Sequence, residues 1–496
     1  MNSAIVSYSS RPPSTPRKGG IDAVVVTADL NWEPSSSNNT SRRQFDAPDA
    51  ANATVQLTSS DSNDRNLAAE SEISIDWQTS WGPIHEDLYS INTSAMVIKD
   101  RIDGPEWPAL IEYLQPRLLR LHSSGQNKIW VNDTKDGWNY QKVKESIMTA
   151  QLPENCKLMI NIYRWPDSFD ADEDGRLDKH RIDDFADFCA DLVRYVNIEL
   201  KQDVEYWEVT NERDFAYWRA PKANNAPDPQ ALADLYNRAA NAMRRVDPSI
   251  KIGGPAACSP LPIAPLIEFA EHAKDNLDFF SFHAYASGNN SESDQVIYDK
   301  AAIIAEQSRD LADQLQQVMG DRTFGVHLNE YNICYNWRIP EPRMRNHKGA
   351  VFDALLLIHL SRVSGITAAN AWNDTEPTYG KADREGNLRP GAHVYHYLNE
   401  YFQGDQVAAQ SNNPDAVVPF AVNRPDGTQS FALVNRSGIE QMITLKANSD
   451  TPSTWYSATI DADGLHQSGP IAPFSHTFDL PVDSVRFFWQ AAKYNP

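Results

Sequence analysis

VEYWEVT (residues 204–210) is a short apolar run rich in β-branched and aromatic residues, and a helical pattern follows it. Asp228-Pro229 opens that helix, Leu232, Leu235, Tyr236, Ala239 and Met243 line one face, and Asp247-Pro248 closes it. KIGG (251–254) then starts another strand. Strand, amphipathic crossover and strand make a βαβ unit, whose strands pair in parallel.

The same rhythm extends to both sides. Strand candidates are EISIDW (72–77), RLLRLH (117–122), KLMINIY (157–163), VEYWEVT, KIGG, LDFFSFH (277–283), FGVHLNE (324–330) and ITAANAW (366–372). A second helix carries Ile182, Phe185, Phe188, Cys189, Leu192, Val193 and Val196 at spacings of three and four. A third runs through Ile304, Leu311, Leu315 and Val318 to a stop at Gly320. Eight apolar strands alternating with helices predict a (β/α)8 TIM barrel over residues 72–405. No GxGxxG or GxxxxGK[ST] follows the first strand, so dinucleotide and P-loop folds lose their anchor.

Beyond residue 405 the helical pattern stops. VVPFAVNRPDGTQSFALVNR (417–436) predicts a hairpin turning at Pro425-Asp426-Gly427, with further strands at MITLKA, WYSATI, HTFDL and VRFFW. Residues 406–496 are therefore expected to form an accessory antiparallel β-sandwich. Residues 1–71 are rich in Ser, Asn, Asp and Pro, with two strand-like islands at 21–32 and 53–60 that are expected to join it.

The chain has 496 residues, 41% of them hydrophobic, and a net charge of −22 from 45 basic and 67 acidic side chains. Such a surface repels phosphate backbones and anionic membranes, which disfavours nucleic-acid and membrane partners. No run of 18 apolar residues is present. The polar start, MNSAIVSYSSRPPSTPRKGG, lacks the apolar core of a secretory signal, so the protein is cytoplasmic or its signal has been removed. Cys156, Cys189, Cys258 and Cys334 show no metal-ligand spacing and are expected to be mostly buried thiols.

A barrel of this kind places its active site at the carboxyl ends of the strands. Strand four ends in Asn211-Glu212, strand seven in Glu330, strand six in His283 and Tyr285, strand two in Arg120 and His122, and strand eight in Trp372. Two glutamates facing one another across the mouth suit glycoside hydrolysis, which needs a proton donor and a nucleophile. Glu208 shares parity with Glu212 and is expected to be a buried structural carboxylate; His122 and His327 receive no role.

The Asn-Glu on strand four, the Glu on strand seven and the strand-eight Trp resemble clan A glycoside hydrolases, most closely family 39. That resemblance implies a retaining hydrolase of β-glycosidic bonds that needs no cofactor. It implies Glu212 as acid/base, Glu330 as nucleophile and Asn211 as partner of the sugar 2-hydroxyl. Arg120, His283 and Tyr285 match positions that line the −1 subsite. The usual Pro after Asn-Glu is replaced by Arg213. Rival expectations are a carbohydrate-binding barrel that has lost turnover, and a metal-dependent hydrolase, which the lack of an HxH cluster disfavours.

Trp81, Trp130, Trp138, Trp165, Trp218, Trp337 and Trp372 follow strand ends and are expected to offer stacking faces to an oligo- or polysaccharide. Arg164, Arg213, Arg219 and Arg338 suggest an anionic or agar-type galactan. Asp170, Asp172, Asp174 and Asp178 match positions 1, 3, 5 and 9 of a calcium loop, with Gly175 at position 6. Position 12 is Arg181, so a structural calcium would require Asp183 or Asp184 to complete its ligands.

Overall fold

The computed structural model describes residues 69–93, 106–122, 130–133, 135–150, 152–163, 165–222, 225–447, 454–471 and 476–491. The chain opens with β1 (Ala69–Pro83) and β2 (Tyr89–Thr93), then α1 (Glu106–Leu114) and β3 (Leu118–Leu121). Two-residue strands β4 (Val131–Asn132) and β5 (Gly137–Trp138) precede α2 (Tyr140–Thr149) and β6 (Lys157–Ile162). There follow α3 (Ile182–Val193), β7 (Tyr206–Val209), α4 (Pro229–Val246), β8 (Lys251–Ala257), α5 (Ile263–Ala273) and β9 (Phe279–Ser287). The barrel section ends with α6 (Asp294–Met319), β10 (Gly325–Cys334), α7 (His347–Leu360), β11 (Ile366–Ala371) and α8 (Pro390–Tyr401).

Eight parallel strands close into a barrel in the order β10-β11-β2-β3-β6-β7-β8-β9. The helix punctuation performs as its chemistry requires. Asp228 accepts the amide of Ala231 at 2.9 Å with Pro229 in the first turn of α4, which satisfies a donor that the helix leaves open. Gly320 ends α6 with φ +64, a left-handed conformation that glycine adopts without penalty. The strands are buried on both faces, and the core between barrel and helices is continuous.

One strand assignment needs correcting. EISIDW lies in β1, which pairs antiparallel with β12 (Asp405–Ser411) and parallel with β15 (Gln441–Ala447); it is not the first strand of the barrel. That place belongs to β2, seated between β11 and β3. In β1 only alternate residues, Ser71, Ile73, Ile75 and Trp77, are buried, whereas all five residues of β2 are. Period-two burial marks a sheet with one wet face.

The accessory domain adds β13 (Val417–Asn423), β14 (Gln429–Asn435), β16 (Trp455–Asp461), β17 (Gly464–Ile471), β18 (Thr477–Leu480) and β19 (Ser484–Gln490). Its nine strands run in the order β17-β16-β19-β14-β13-β12-β1-β15-β18, antiparallel except where β1 meets β15. The expected hairpin is β13–β14, with Gly427 at φ +75 and Arg424 donating its amide to Thr428 at 2.8 Å. Ile73, Val407, Phe431, Leu433, Ile443, Leu445 and Phe488 form a core of its own. The islands at 21–32 and 53–60 lie outside the described residues. Among the described residues no helix is long and apolar enough to cross a membrane.

Candidate active site

Local backbone geometry aims the strand-four pair. Thr210 and Glu212 both adopt left-handed backbone, at φ +70 and +52, a conformation costly for side chains with a Cβ. Hydrogen bonds hold it in place: Thr210 N donates to Ile162 O at 3.0 Å, and Glu212 N to Ala256 O at 2.8 Å. The sharp turn lifts Asn211 and Glu212 to the barrel mouth.

Strand seven uses a different device. The pairing of β10 with β9 shifts between Leu328 and Glu330, and its pairing with β11 shifts between Leu328 and Tyr331. A regular strand sends successive side chains to opposite faces. This bulge lets Asn329 and Glu330, though adjacent, both reach the interior: Asn329 Nδ2 contacts Glu208 at 2.5 Å, while Glu330 meets Arg120 and Tyr285.

Glu212, Glu330 and His283 converge. One carboxylate oxygen from each glutamate and a ring nitrogen of His283 all lie within 4.8 Å of one another. His283 Nδ1 and Glu212 Oε1 are hydrogen-bonded at 2.9 Å, and the same nitrogen is 3.6 Å from Glu330 Oε2. Tyr285 donates its hydroxyl to Glu330 Oε2 at 3.1 Å, and Arg120 Nη1 donates to Oε1 at 3.1 Å. Arg120 Nη2 also donates to Asn211 Oδ1 at 2.8 Å, which turns the Asn211 amide nitrogen away from the guanidinium.

The electrostatics separate the two carboxyls. Burial, with Asp214 adding its negative charge, pushes Glu212 up to about 8. Burial also raises Glu330 above the usual carboxylate range, but His283 and Arg120 oppose the rise. His283 is held below its ordinary value by burial and so stays neutral near pH 7. The site therefore favours the proton on Glu212, while His283 and Arg120 favour the ionised form of Glu330.

Several expected residues sit elsewhere or differently. Trp372 is half-buried at the mouth, with His122 edge-on to its ring at 4.6 Å. Trp337 is 41% exposed on the loop after β10, with Arg338 over its ring at 5.1 Å. Trp165 is 2% exposed beneath the half-buried Arg213 guanidinium, 4.2 Å from its ring, so Trp165 offers no stacking face. Trp130, Trp138 and Trp218 are buried packing residues; Trp138 stacks on Phe188 at 3.9 Å and donates to Phe188 O. Trp81 belongs to β1 in the accessory sheet. Arg219 pairs with buried Asp214 and donates to the carbonyls of Ser259 and Leu261, which occupies its guanidinium. Arg164 lies outside the described residues.

Asp170, Asp172 and Asp174 bring one oxygen each within 4.8 Å, as the loop motif requires. Asp178 instead accepts the amide of Ala171 at 3.4 Å. Arg181, at position 12, pairs with Asp184 at 2.8 Å and with Asp136 at 3.0 Å, while Asp183 faces Arg238 at 3.1 Å. Asp170, Asp172 and Asp174 are thus the residues that would hold an ion, and neither Asp183 nor Asp184 joins their group.

Sequence reasoning missed the polar residues beneath the site. Asn92, Asn161 and Asn329 are fully buried around Arg120 and Glu208, and Asp214 is fully buried beside the acid position. His122 was passed over, yet its Nε2 lies 3.6 Å from Glu330 Oε1. The signal was present: asparagines inside an apolar strand must find partners.

The model of glycosyl hydrolases family 39 matches residues 178–378, a span holding Asn211, Glu212, His283, Tyr285, Glu330 and Trp372. A β-xylosidase of Geobacillus stearothermophilus is 29% identical over 147 residues, covering 27% of this chain and 28% of that relative's length. Among solved structures, a monomeric β-xylosidase from Caulobacter crescentus CB15 aligns with a TM-score of 0.61 at 15% identity, over 84% of this chain and 99% of that one. A family 51 arabinofuranosidase from Xanthomonas axonopodis pv. citri aligns at 0.63 and 12% identity, over 85% and 100%. At such identities the structural likeness speaks for the fold alone.

Proposed function

The chain is a family 39-like barrel of the clan A glycoside hydrolases, and from that premise we propose that it hydrolyses β-glycosidic bonds with retention of configuration. The observation that carries this is the approach of Glu212 and Glu330 oxygens to within 4.8 Å. Retaining enzymes hold their carboxyls about 5–5.5 Å apart, while inverting ones leave about 6.5–9.5 Å for a water.

Glu330 attacks the anomeric carbon, and Glu212 gives its proton to the leaving oxygen. The glycosyl-enzyme is then opened by water, from which Glu212 takes a proton. Once Glu330 is esterified its negative charge is gone, which lowers the proton affinity of Glu212 for the second step. Tyr285 and Arg120 fix one oxygen each of the nucleophile. Asn211, its carbonyl held by Arg120, offers an amide N–H to the sugar 2-hydroxyl. None of these steps calls for a cofactor.

The substrate is an oligo- or polysaccharide that stacks on Trp372 and Trp337. The finer reading, an anionic or agar-type galactan, rests on the cationic side chains of Arg213 over Trp165 and Arg338 over Trp337; Arg219 pairs with Asp214. A panel of β-xylosides, neutral galactan and sulfated galactan oligosaccharides, scored by reducing-end release and by anomeric NMR of the first product, tests both levels. Inverted product removes the mechanism, and equal or better turnover of neutral over sulfated oligosaccharides removes the anionic substrate.

A further inference from the structure

Glu208 stands in the middle of β7, fully buried, and no step of the proposed mechanism uses it. Its Oε2 accepts Arg120 Nε at 2.8 Å and Asn161 Nδ2 at 2.7 Å, and lies 2.6 Å from Arg120 Nη2 in an ion pair; Oε1 accepts Asn329 Nδ2 at 2.5 Å. The other side of the same guanidinium faces the mouth. There Nη1 donates to Glu330 Oε1 at 3.1 Å and to Asn92 Oδ1 at 2.8 Å, and Nη2 donates to Asn211 Oδ1. One fully buried cation is thus shared between two carboxylates, an inner one that also accepts from Asn161 and Asn329 and an outer one at the reacting position. The asparagines complete the cage: Asn370 Nδ2 donates to Asn329 Oδ1, which turns the Asn329 amide nitrogen toward Glu208.

We propose that Glu208 is a positioning residue for glycosyl transfer, acting through Arg120 on Glu330 and Asn211. Two physical effects follow from its placement. A guanidinium is a rigid planar fork, so anchoring Nε and Nη2 on Glu208 leaves Arg120 one orientation, the one that reaches Glu330 and Asn211 together. The inner negative charge also offsets part of the Arg120 charge. Without it the whole cation would act on Glu330, stabilising the ionised form and weakening it as a nucleophile. A purely structural Glu208 would only spare the barrel an unpaired buried cation. The two roles differ in what they do to the titration of Glu330.

This inference rests on the retaining reading above, and its test separates the two. Glu208→Gln keeps size and shape but removes the charge; Glu208→Asp keeps the charge and shortens the reach. For Glu208→Gln the acid limb of kcat/KM is expected to move down by roughly one pH unit. Its plateau is expected to fall roughly ten-fold or more, chiefly in kcat, as the nucleophile loses its alignment. Glu208→Asp should keep the wild-type acid limb while losing kcat. A folded Glu208→Gln with the acid limb unmoved overturns the proposal. So does a loss in Glu208→Asp that merely tracks its melting temperature, which decides the matter even if the Gln variant does not fold. If wild-type protein turns over no glycoside, the functional reading fails on its own. The carboxyl of Glu330 can still be titrated by 13C NMR in the full chain, identified by its disappearance in Glu330→Gln. An unmoved titration in Glu208→Gln then overturns the role of Glu208 independently.

Discussion

Tyr285 and Glu330 face each other across two neighbouring strands, the Tyr285 hydroxyl donating to Glu330 Oε2 at 3.1 Å. The donor stabilises the ionised nucleophile and fixes the plane of its carboxylate. Tyr285→Phe leaves the ring in place and removes only that donor. The acid limb of kcat/KM should therefore move up, because a hydrogen bond to the charged form has been lost. The rate should fall by roughly 10- to 100-fold, with the fold intact by circular dichroism.

The two glutamates should part company under chemical rescue. Glu212→Ala should spare glycosylation by aryl glycosides whose leaving group needs no proton, yet accumulate the covalent intermediate, because water has lost its base. Azide should restore turnover and yield a β-glycosyl azide. Glu330→Ala should turn over even activated substrates very slowly, and azide there should give the opposite anomer. Mass spectrometry of the trapped enzyme and NMR of the azide read both outcomes.

The pH profile follows from the split between the carboxyls. Glu330 must be ionised, and its raised value sets the acid limb above the ordinary carboxylate range. Glu212 must hold its proton, so activity should decline as pH rises through about 8. The same shift acts on stability. A carboxyl that binds its proton more tightly when folded costs stability as pH climbs from its ordinary 4.5 toward about 8. Glu212→Gln does not titrate, and should gain on the order of 1–3 kcal/mol over wild type between pH 5 and 8. Urea melts at both pH values check it; a constant difference contradicts the assignment.

Away from the site, Lys381 and Asp353 form an ion pair with both side chains almost wholly buried. Lys381→Met should leave Asp353 buried without that partner, lowering stability by about 3–5 kcal/mol. Replacing both by apolar residues of similar volume should recover most of the loss. Denaturant midpoints of the single and double variants test this.

Much of the barrel was legible because its strands are continuous apolar runs and its helices carry strong caps. The first strand was not. YSINT (89–93) looks like a loop because Ser90, Asn92 and Thr93 are polar, yet all are buried; Asn92 faces inward to bind Arg120. EISIDW drew the assignment instead, although its alternation of Ile73, Ile75 and Trp77 with Glu72, Ser74 and Asp76 is the pattern of a half-wet sheet. The glutamate pair could be placed from strand ends. The bulge that turns both Asn329 and Glu330 inward could not, since it depends on register between strands and not on residue type. The tryptophans misled for a related reason. Proximity to a strand end does not say whether a ring lies over the cleft or beneath a loop, and Trp130 and Trp138 lie beneath.

β1 precedes the whole barrel in the chain, but its partners, β12 and β15, begin at Asp405 and Gln441. A ribosome releasing this protein therefore exposes β1 long before β12 or β15 exists to pair with it. Both of its edges and the apolar row of Ile73, Ile75 and Trp77 must wait while the barrel is made. The accessory sheet can close only after the barrel and the strands from Asp405 to Gln490 have been made, so one sheet joins segments from both sides of the barrel in the chain. Cutting the chain after the barrel should thus yield an aggregation-prone fragment with a sticky leading strand, not a free-standing domain.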